Sequence, residues 1–123
     1  MGQGEWSRGQ ETDRLSARID QTFAALADPC RRRAVELLGE RPRRAGELAE
    51  ALGLPAAAMS RHLGLMKRTG LVQETHPDFD ARVRVYSLKN GAMSDVRRWI
   101  VETEATWVKQ LSAFKTHVEK QRK

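Results

Sequence analysis

Cysteine is nearly absent from this chain of 123 residues, which contains only Cys30. A single cysteine excludes an intramolecular disulfide framework and is typical of a protein in a reducing compartment, so we expect a cytoplasmic protein. Long apolar runs are missing as well. No stretch approaches the roughly 18 residues that a membrane span requires, and no charged-then-apolar signal opens the chain. We therefore expect no membrane-spanning segment and no membrane partner.

Catalytic motifs are also missing. The sequence has no Ser-His-Asp set, no glycine loop that could cradle a phosphate and no carboxylates paired by a motif. Ser60 and His62 lie close in sequence, but no third group is placed to orient the imidazole. We therefore expect no enzyme and no cofactor.

Positive charge is in excess, with 22 Lys and Arg against 16 Asp and Glu and a formal net charge of +6. The excess is uneven, because residues 1–27 carry a net charge of −1, residues 28–90 of +4 and residues 91–123 of +3. A basic chain favours a polyanionic partner, with nucleic acid first and an anionic membrane surface second.

Residues 45–72 have the pattern of two short amphipathic helices joined by a tight turn. Gly53 has the backbone freedom required just past a helix end, and Pro55 has a φ suited to a first helical turn. Met59, Leu63 and Met66 recur at steps of four and three, so one face of the second helix should be buried. The opposite face keeps small and polar side chains, which suits a helix in a DNA major groove. The segment therefore predicts a helix-turn-helix.

A basic segment with strand character follows. Residues 71–74 are predicted as a strand, residues 75–81 as a turn, and residues 82–88 as a return strand with period-two alternation. The expected β-hairpin projects Arg82 and Arg84 from one face, and the pair at 90–91, Asn-Gly, is expected to close it.

Two helices are predicted before the helix-turn-helix. Apolar residues at steps of three or four mark the first over residues 13–27. Asp28 and Pro29 form the start of the second, with Asp28 as N-cap, and it should end at Leu38. Three arginines at 31–33 lie near this start, where cations oppose the helix dipole, and helix propensity does not explain them.

The last predicted helix covers about residues 92–118 and carries a long apolar stripe. At 1.5 Å per residue it would extend roughly 40 Å, which exceeds what a compact domain of this size covers. A second copy of the chain is the simplest partner for the remainder of the stripe and gives a two-fold dimer. The alternative is a helix packed wholly on its own domain.

The expected fold is mainly α with a small β-hairpin, a winged helix-turn-helix with long N- and C-terminal dimerisation helices. Residues 1–12 are predicted to be a disordered tail, and residues 13–90 a DNA-binding domain that includes the N-terminal dimer helix. Residues 91–118 form the C-terminal dimerisation helix, and residues 119–123 a tail.

The order of these elements, with the phrases ALADPCRRRAVELL, GELAEALGL, SRHLGLMKRTGLV and RVYSL, resembles the ArsR-type winged helix-turn-helix repressors of bacteria. The resemblance spans roughly residues 23–88, and the Trp-bearing last helix is similar in type. It implies a homodimeric transcriptional regulator, usually a repressor, of a palindromic operator in double-stranded DNA. The implied DNA contacts are Arg44, Ala56, Ala57, Ala58, Ser60, Arg61, His62, Lys67, Arg82 and Arg84. The implied dimer residues are Leu15, Ile19, Phe23, Val96, Ile100, Trp107, Leu111 and Phe114.

The chain departs from the family at the start of the recognition helix, where residues 55–58 read Pro-Ala-Ala-Ala. Alanine methyls can pack on a thymine methyl but donate no hydrogen bond to a base edge. Base recognition is therefore expected to rest on Ser60, Arg61 and His62 with the wing arginines, or on DNA shape. Arg44 stands where a capping Ser or Thr is common, which suggests a phosphate contact.

Sensing sites are not evident from the sequence. The first helix of the helix-turn-helix has no cysteine for the Cys-x-Cys pattern of metal-sensing members, and His117 has Lys120 where the last-helix pattern needs a carboxylate. We therefore expect no metal and a place in the metal-independent branch of the family. Cys30, beside three arginines at a helix start, is either a small hydrophobe or a thiol-based sensing site. No small-molecule effector follows from the sequence.

The predicted function is therefore a DNA-binding repressor of a palindromic operator, which could be its own. The alternative is a winged-helix module that binds protein or structured RNA with the same surface, because the alanines leave the recognition helix with few polar side chains for base contacts.

Overall fold

A computed structural model describes residues 3–122 except 78 and 81, with side chains from position 13 onward. In chain order the elements are α1 (Gln3–Leu26), α2 (Pro29–Glu40), β1 (Arg43–Arg44), α3 (Ala45–Leu52), α4 (Ala56–Arg68), β2 (Val72–Thr75), β3 (Val85–Leu88) and α5 (Asn90–Gln121). The expected class, mainly helical with a small antiparallel sheet, is confirmed. Positions 1, 2, 78, 81 and 123, which fall in the predicted tails and wing tip, lie outside the described residues.

Helix boundaries follow local capping chemistry. Asp28 has extended backbone, and its carboxylate accepts hydrogen bonds from the Cys30 N–H at 2.8 Å and the Arg31 N–H at 3.2 Å. Gly53 ends α3 in the left-handed region at φ +65°, with its N–H directed at the carbonyls of the last turn. Both features were predicted from the sequence. The second helix, however, continues through Gly39 to Glu40, two residues beyond its predicted end.

The sheet has three strands in the order β1-β3-β2, all antiparallel. The sequence predicted only two, because β1 has two residues and is too short to show a period-two pattern. The return strand begins at Val85, not at position 82 as predicted. Asp80 explains the difference, since its carboxylate accepts the Arg82 N–H at 3.0 Å and its carbonyl accepts the Val83 N–H at 3.2 Å. Positions 90–91 begin α5 and do not form a turn.

The core lies between α2, α3, α4 and the sheet. Met59, Leu63 and Met66 are each 0–1% exposed, so the buried face predicted for the second helix of the helix-turn-helix is confirmed. Burying each such side chain stabilises the fold by about 1.5–3 kcal/mol. These three anchors fix which face of α4 points to solvent.

The first and last helices pack against each other outside this core. Ile19 and Val96 are 8% and 4% exposed, and the rings of Phe23 and Trp99 meet edge to face at 5.6 Å. Ile19 and Val96, which were both predicted as dimer contacts, are already buried within their own chain.

The long helices also extend further than predicted. Helix α1 begins at Gln3, so residues 3–12 are helical where a disordered tail was predicted, and α5 runs to Gln121, into the predicted tail at 119–123. Extending a helix that is already nucleated adds one backbone hydrogen bond per residue fixed, which explains both extensions. None of the described helices is both long and apolar enough to cross a membrane.

Candidate nucleic-acid interface

Helix α4, the recognition helix, presents a polar face to solvent. Ser60 and Arg61 are exposed there, on the side opposite the buried methionines and leucine. In the first turn Ala56 and Ala57 are exposed and Ala58 is half-buried. The helix thus offers methyl groups in its first turn and a hydroxyl and a guanidinium in its second. Such a surface can contact thymine methyls with the first set and base edges or phosphates with the second.

The start of α4 has no side-chain cap. Pro55 is the N-cap residue, with φ −60° and ψ 148°, and it makes no side-chain hydrogen bond to the helix. Pro55 was expected within the first turn but stands one position before it. The first N–H groups of such a helix start are suited to bind an anion.

The wing is the β2–β3 hairpin with its connecting turn, and it carries two exposed arginines. The Arg82 side chain is 94% exposed and the Arg84 side chain 63%. Strand β2 packs against α4, so the wing stands beside the recognition helix. Between them lies a groove of about 500 Å³, lined in part by Ser60, Lys67 and Arg84. Residues predicted as DNA contacts from two separate segments therefore share one surface.

Glu74 links the wing to α4. Its side chain is only 13% exposed, and its carboxylate lies 3.0 Å from Lys67 Nζ, 3.5 Å from Arg84 Nε and 3.4 Å from His76 Nε2. The hydrogen bond from Lys67, with the charges around it, holds the pKa of Glu74 below its ordinary value. Lys67, predicted as a DNA contact, is thus paired within the chain. No sequence pattern pointed to Glu74, because Lys67 comes from α4 and Arg84 from the far side of the wing.

His62 is turned inward. The ring is half-buried, and its Nδ1 lies 3.2 Å from Arg31 Nη1 at the start of α2. Of the three adjacent residues predicted to contact DNA, the structure therefore exposes Ser60 and Arg61 and packs His62 against α2.

The arginine run at 31–33 finds its explanation in α1. Arg31 Nε donates to the Ala25 carbonyl at 2.6 Å, and Arg32 Nη1 donates to the Leu26 carbonyl at 2.7 Å. These carbonyls belong to the last turn of α1, where cations stabilise a helix. Arg31 and Arg32 therefore cap the preceding helix, whereas Arg33 pairs with Glu36 on the surface of α2 at 3.1 Å.

Arg44 is exposed at the start of α3. Its side chain makes no cap hydrogen bond, while the Glu47 carboxylate accepts the Arg44 N–H at 3.2 Å. Its neighbour Arg43, by contrast, binds Glu40 at 2.6 Å and the Leu37 carbonyl at 3.1 Å. The guanidinium of Arg44 is therefore the one of this pair that faces outward.

The second half of α5 presents an apolar face to solvent. Trp107, Leu111 and Phe114 are 70%, 64% and 66% exposed, and nearer the domain Ile100 is 46% and Phe23 39% exposed. Leu15, on α1, is half-buried. Of the predicted dimer residues, those on the second half of α5 remain uncovered by their own chain.

The folded unit, with α3 and α4 at the site and a hairpin beside them, defines a winged helix-turn-helix protein. A helix-turn-helix domain family matches residues 26–75. The regulator Rv0081 of Mycobacterium tuberculosis H37Rv is 39% identical over 67 residues, 54% of this chain and 56% of that protein. The match thus spans just over half of that relative's length. Rv2034 of the same strain, an HTH-type transcriptional regulator, is 32% identical over 95 residues, 77% of this chain and 83% of Rv2034.

Among solved structures, an ArsR-like transcriptional regulator from Rhodococcus sp. RHA1 aligns with a TM-score of 0.70 at 27% identity, covering 82% of this chain and 92% of that one. The chain belongs to the ArsR-type family of helix-turn-helix transcriptional regulators. Its relatives are described as regulators and not as enzymes.

Proposed function

We propose that this protein is a homodimeric repressor that binds a palindromic operator in double-stranded DNA, its own promoter included. The observation that carries the proposal is that α4 has a buried face and an exposed face. Met59, Leu63 and Met66 are buried in the core, while Ser60 and Arg61 face solvent. A recognition helix must be held rigidly from behind to present side chains to base edges. The buried anchors supply that support.

The charge distribution supports a DNA partner. Arg61 lies on the exposed face of α4, Arg82 and Arg84 on the wing, and Arg44 at the start of α3. Each cation that neutralises a phosphate releases counterions, so affinity should fall steeply with salt. With no hydrogen-bonding side chain in the first turn of α4, base recognition rests on Ser60 and Arg61, supplemented by DNA shape.

The exposed face of α5 supports a dimer. Three large apolar side chains, Trp107, Leu111 and Phe114, are each more than half exposed along one stretch of helix. A second copy would cover them with the same residues in a two-fold arrangement. Two recognition helices related by that axis would contact an inverted repeat whose half-sites lie about one helical turn apart, or a multiple of it.

Repression follows from occupancy alone. In the described part of the chain, α4 and the wing serve DNA contact, α2 and α3 support them, and α1 and α5 serve assembly. A dimer on an operator that overlaps a promoter would exclude polymerase without any further contact.

Selection from a random duplex pool, followed by footprinting and a promoter reporter, tests the proposal. We expect an inverted repeat with centres about 10 bp apart or a multiple of that, protection of both half-sites, and lower reporter output when the protein is present. If no duplex is enriched, the surface serves a protein or RNA partner and the proposal fails. If a repeat is enriched and reporter output rises, the sign of regulation is wrong.

A further inference from the structure

We propose that Asp28, Cys30 and His62 bind a thiophilic divalent cation, for which Zn²⁺ is the model ion, and that this cation ties the start of α2 to the recognition helix. The three residues come from two elements. Asp28 caps α2, Cys30 lies in its first turn, and His62 is on α4. Binding of the cation is independent of the proposed DNA function, whereas its effect on the operator rests on that function.

The ligand atoms are already close together. One ligand atom from each residue lies within 4.8 Å of the other two, and all three residues are half-buried. In a tetrahedral zinc site with ligand distances of about 2.0–2.3 Å, neighbouring ligand atoms are roughly 3.3–3.8 Å apart. Closing the cluster onto an ion therefore requires side-chain shifts on the order of 1 Å.

Asp28 can take part without giving up its cap. Both backbone hydrogen bonds that define the cap, from Cys30 N–H and Arg31 N–H, go to Oδ1. A carboxylate has a second oxygen with its own lone pairs, so Oδ2 can ligate while Oδ1 holds the helix start.

A ring nitrogen of His62 lies at the cluster. Its Nδ1 lies 3.2 Å from Arg31 Nη1, and a guanidinium can only donate, so Nδ1 is the accepting nitrogen and the ring proton is on Nε2. A metal ion bound at Nδ1 would need the same lone pair, and it would then take the place of the Arg31 guanidinium in front of this nitrogen.

Arg31 can release that contact at little cost, because it has other partners. Its Nε donates to the Ala25 carbonyl at 2.6 Å and its Nη2 to the Ala24 carbonyl at 3.3 Å, which holds the guanidinium on the end of α1. Its charge remains nearby and lowers cation affinity, so the ligand set must compensate.

The chemistry of the three ligands selects the class of cation. A thiolate and an imidazole favour Zn²⁺, Co²⁺ or Cd²⁺ over Mg²⁺ or Ca²⁺, which prefer oxygen ligands. Water would complete the fourth position. Coordination forms an S–metal bond at Cys30, and the thiol proton is released to solvent. No metal was expected from the sequence, because the metal-binding patterns of the family lie in the first helix of the helix-turn-helix and in the last helix, whereas this cluster unites positions 30 and 62.

Titration of the reduced full-length protein with Co²⁺, in the absence of DNA, tests the site directly. We expect one Co²⁺ per chain with a thiolate-to-cobalt charge-transfer band, and competition by Zn²⁺. Loss of a metal ligand should weaken Co²⁺ binding about tenfold or more, because loss of a residue that only supports a ligand already lowers metal affinity by at least about that factor. Cys30→Ser should abolish the band, and His62→Gln should weaken binding by about tenfold or more.

Two further variants make the test selective. Asp28→Asn removes the carboxylate charge but keeps a good N-cap residue, so it should weaken Co²⁺ binding in a chain that still folds. His117→Gln, an exposed histidine on α5, should leave binding unchanged. The proposal is overturned if wild type shows no thiolate band, or if the Asp28, Cys30 and His62 variants bind as wild type does.

The link to DNA is measured separately. Zn²⁺ should change operator affinity at least several-fold in wild type and leave it unaltered in Cys30→Ser. An equal effect in both, or none in wild type, overturns the link to the recognition helix. Failure of the duplex selection would refute the proposed function and would leave the Co²⁺ readout intact, so the two failures are distinguishable.

Discussion

Lys67 Nζ lies 3.0 Å from Glu74 Oε2, an ion pair that joins the last turn of the recognition helix to the first strand of the wing. The same carboxylate faces Arg84 and His76. One largely buried acid therefore lies between cations on both sides of the groove, and it partly neutralises a groove whose other charged lining residues are Lys67, Arg68 and Arg84.

Removing this acid should make DNA binding stronger and less selective. Glu74→Gln frees Lys67 and Arg84 to neutralise phosphates, so affinity for random duplex should rise several-fold and the salt slope should steepen by about 1. Fluorescence anisotropy at several salt concentrations measures both quantities. Glu36→Gln makes the same change in net charge on the surface of α2. Equal salt slopes for the two variants would contradict the assigned role.

Acidification should destabilise the fold through Glu74, Glu47 and Asp28. Hydrogen bonds from Lys67 to Glu74, and from the N–H groups of Arg44 to Glu47 and of Arg31 to Asp28, hold the pKa of each acid below its ordinary value. Their contribution is present above the unfolded pKa values of about 4.5, 4.5 and 3.8, and is lost as pH falls through the lower folded values.

Urea denaturation between pH 7 and pH 3 measures this loss. We expect the free energy of unfolding to decrease below about pH 4.5, and Glu74→Gln to decrease less steeply than wild type. Parallel curves for the two proteins would exclude Glu74 as a source of the dependence.

The turn between α3 and α4 should be intolerant of a side chain. Gly53 has φ +65°, so Gly53→Ala should cost about 1–2 kcal/mol of stability despite open space around its Cβ position. Gly46→Ala, inside α3 and also without a contact within 4 Å, should stabilise the protein by about 0.5–1 kcal/mol. Urea unfolding of both variants compares them, and changes of the same sign would contradict the argument.

Arg61 should contribute to operator recognition. If it contacts a base, Arg61→Ala should cost about 1–3 kcal/mol at the operator and much less on random duplex. Equal losses on both would assign it to a phosphate. Arg14→Ala removes the same charge from α1, which packs against α5, and it should have little effect on operator affinity. Both variants are compared at low nanomolar protein and at the same salt concentration.

The exposed face of α5 should determine assembly. Leu111→Asp places a charge among Trp107 and Phe114, so it should shift sedimentation from dimer to monomer and abolish protection of paired half-sites. Because Leu111 is 64% exposed in one chain, the variant should keep its monomer fold by circular dichroism. Ser112→Asp, on a different face of the same turn, should remain dimeric. Loss of assembly in both would indicate a general effect of charge on the helix.

Local chemistry made much of the fold predictable. The spacing of Met59, Leu63 and Met66 identified the buried face of α4, while Asp28 and Gly53 identified a helix start and a helix end. Each of these signals lies within one turn of the chain. The two-residue β1 was missed because it exists only through pairing with β3.

The parts that sequence reasoning missed depend on distant contacts. Periodicity placed Val96 and Leu111 on one stripe of α5, but it could not show that Val96 is buried within the chain and Leu111 exposed. The contact of His62 with Arg31, 31 positions away, was missed because a helix pattern shows only which residues share a face of one helix. Glu74 was missed for the same reason.

The junction between α1 and α2 has a mechanical consequence. Arg31 and Arg32 donate hydrogen bonds to the carbonyls that end α1, and Asp28 accepts hydrogen bonds from the N–H groups that begin α2. Residues 28–32 therefore cap both helix ends. The assembly helix α1 is therefore joined firmly to α2, which supports the recognition helix. The proposed dimer, built on two such junctions, would hold its two recognition helices at a fixed spacing. One base pair inserted at the centre of the operator would rotate one half-site by about 34° relative to the other and move it away from its recognition helix.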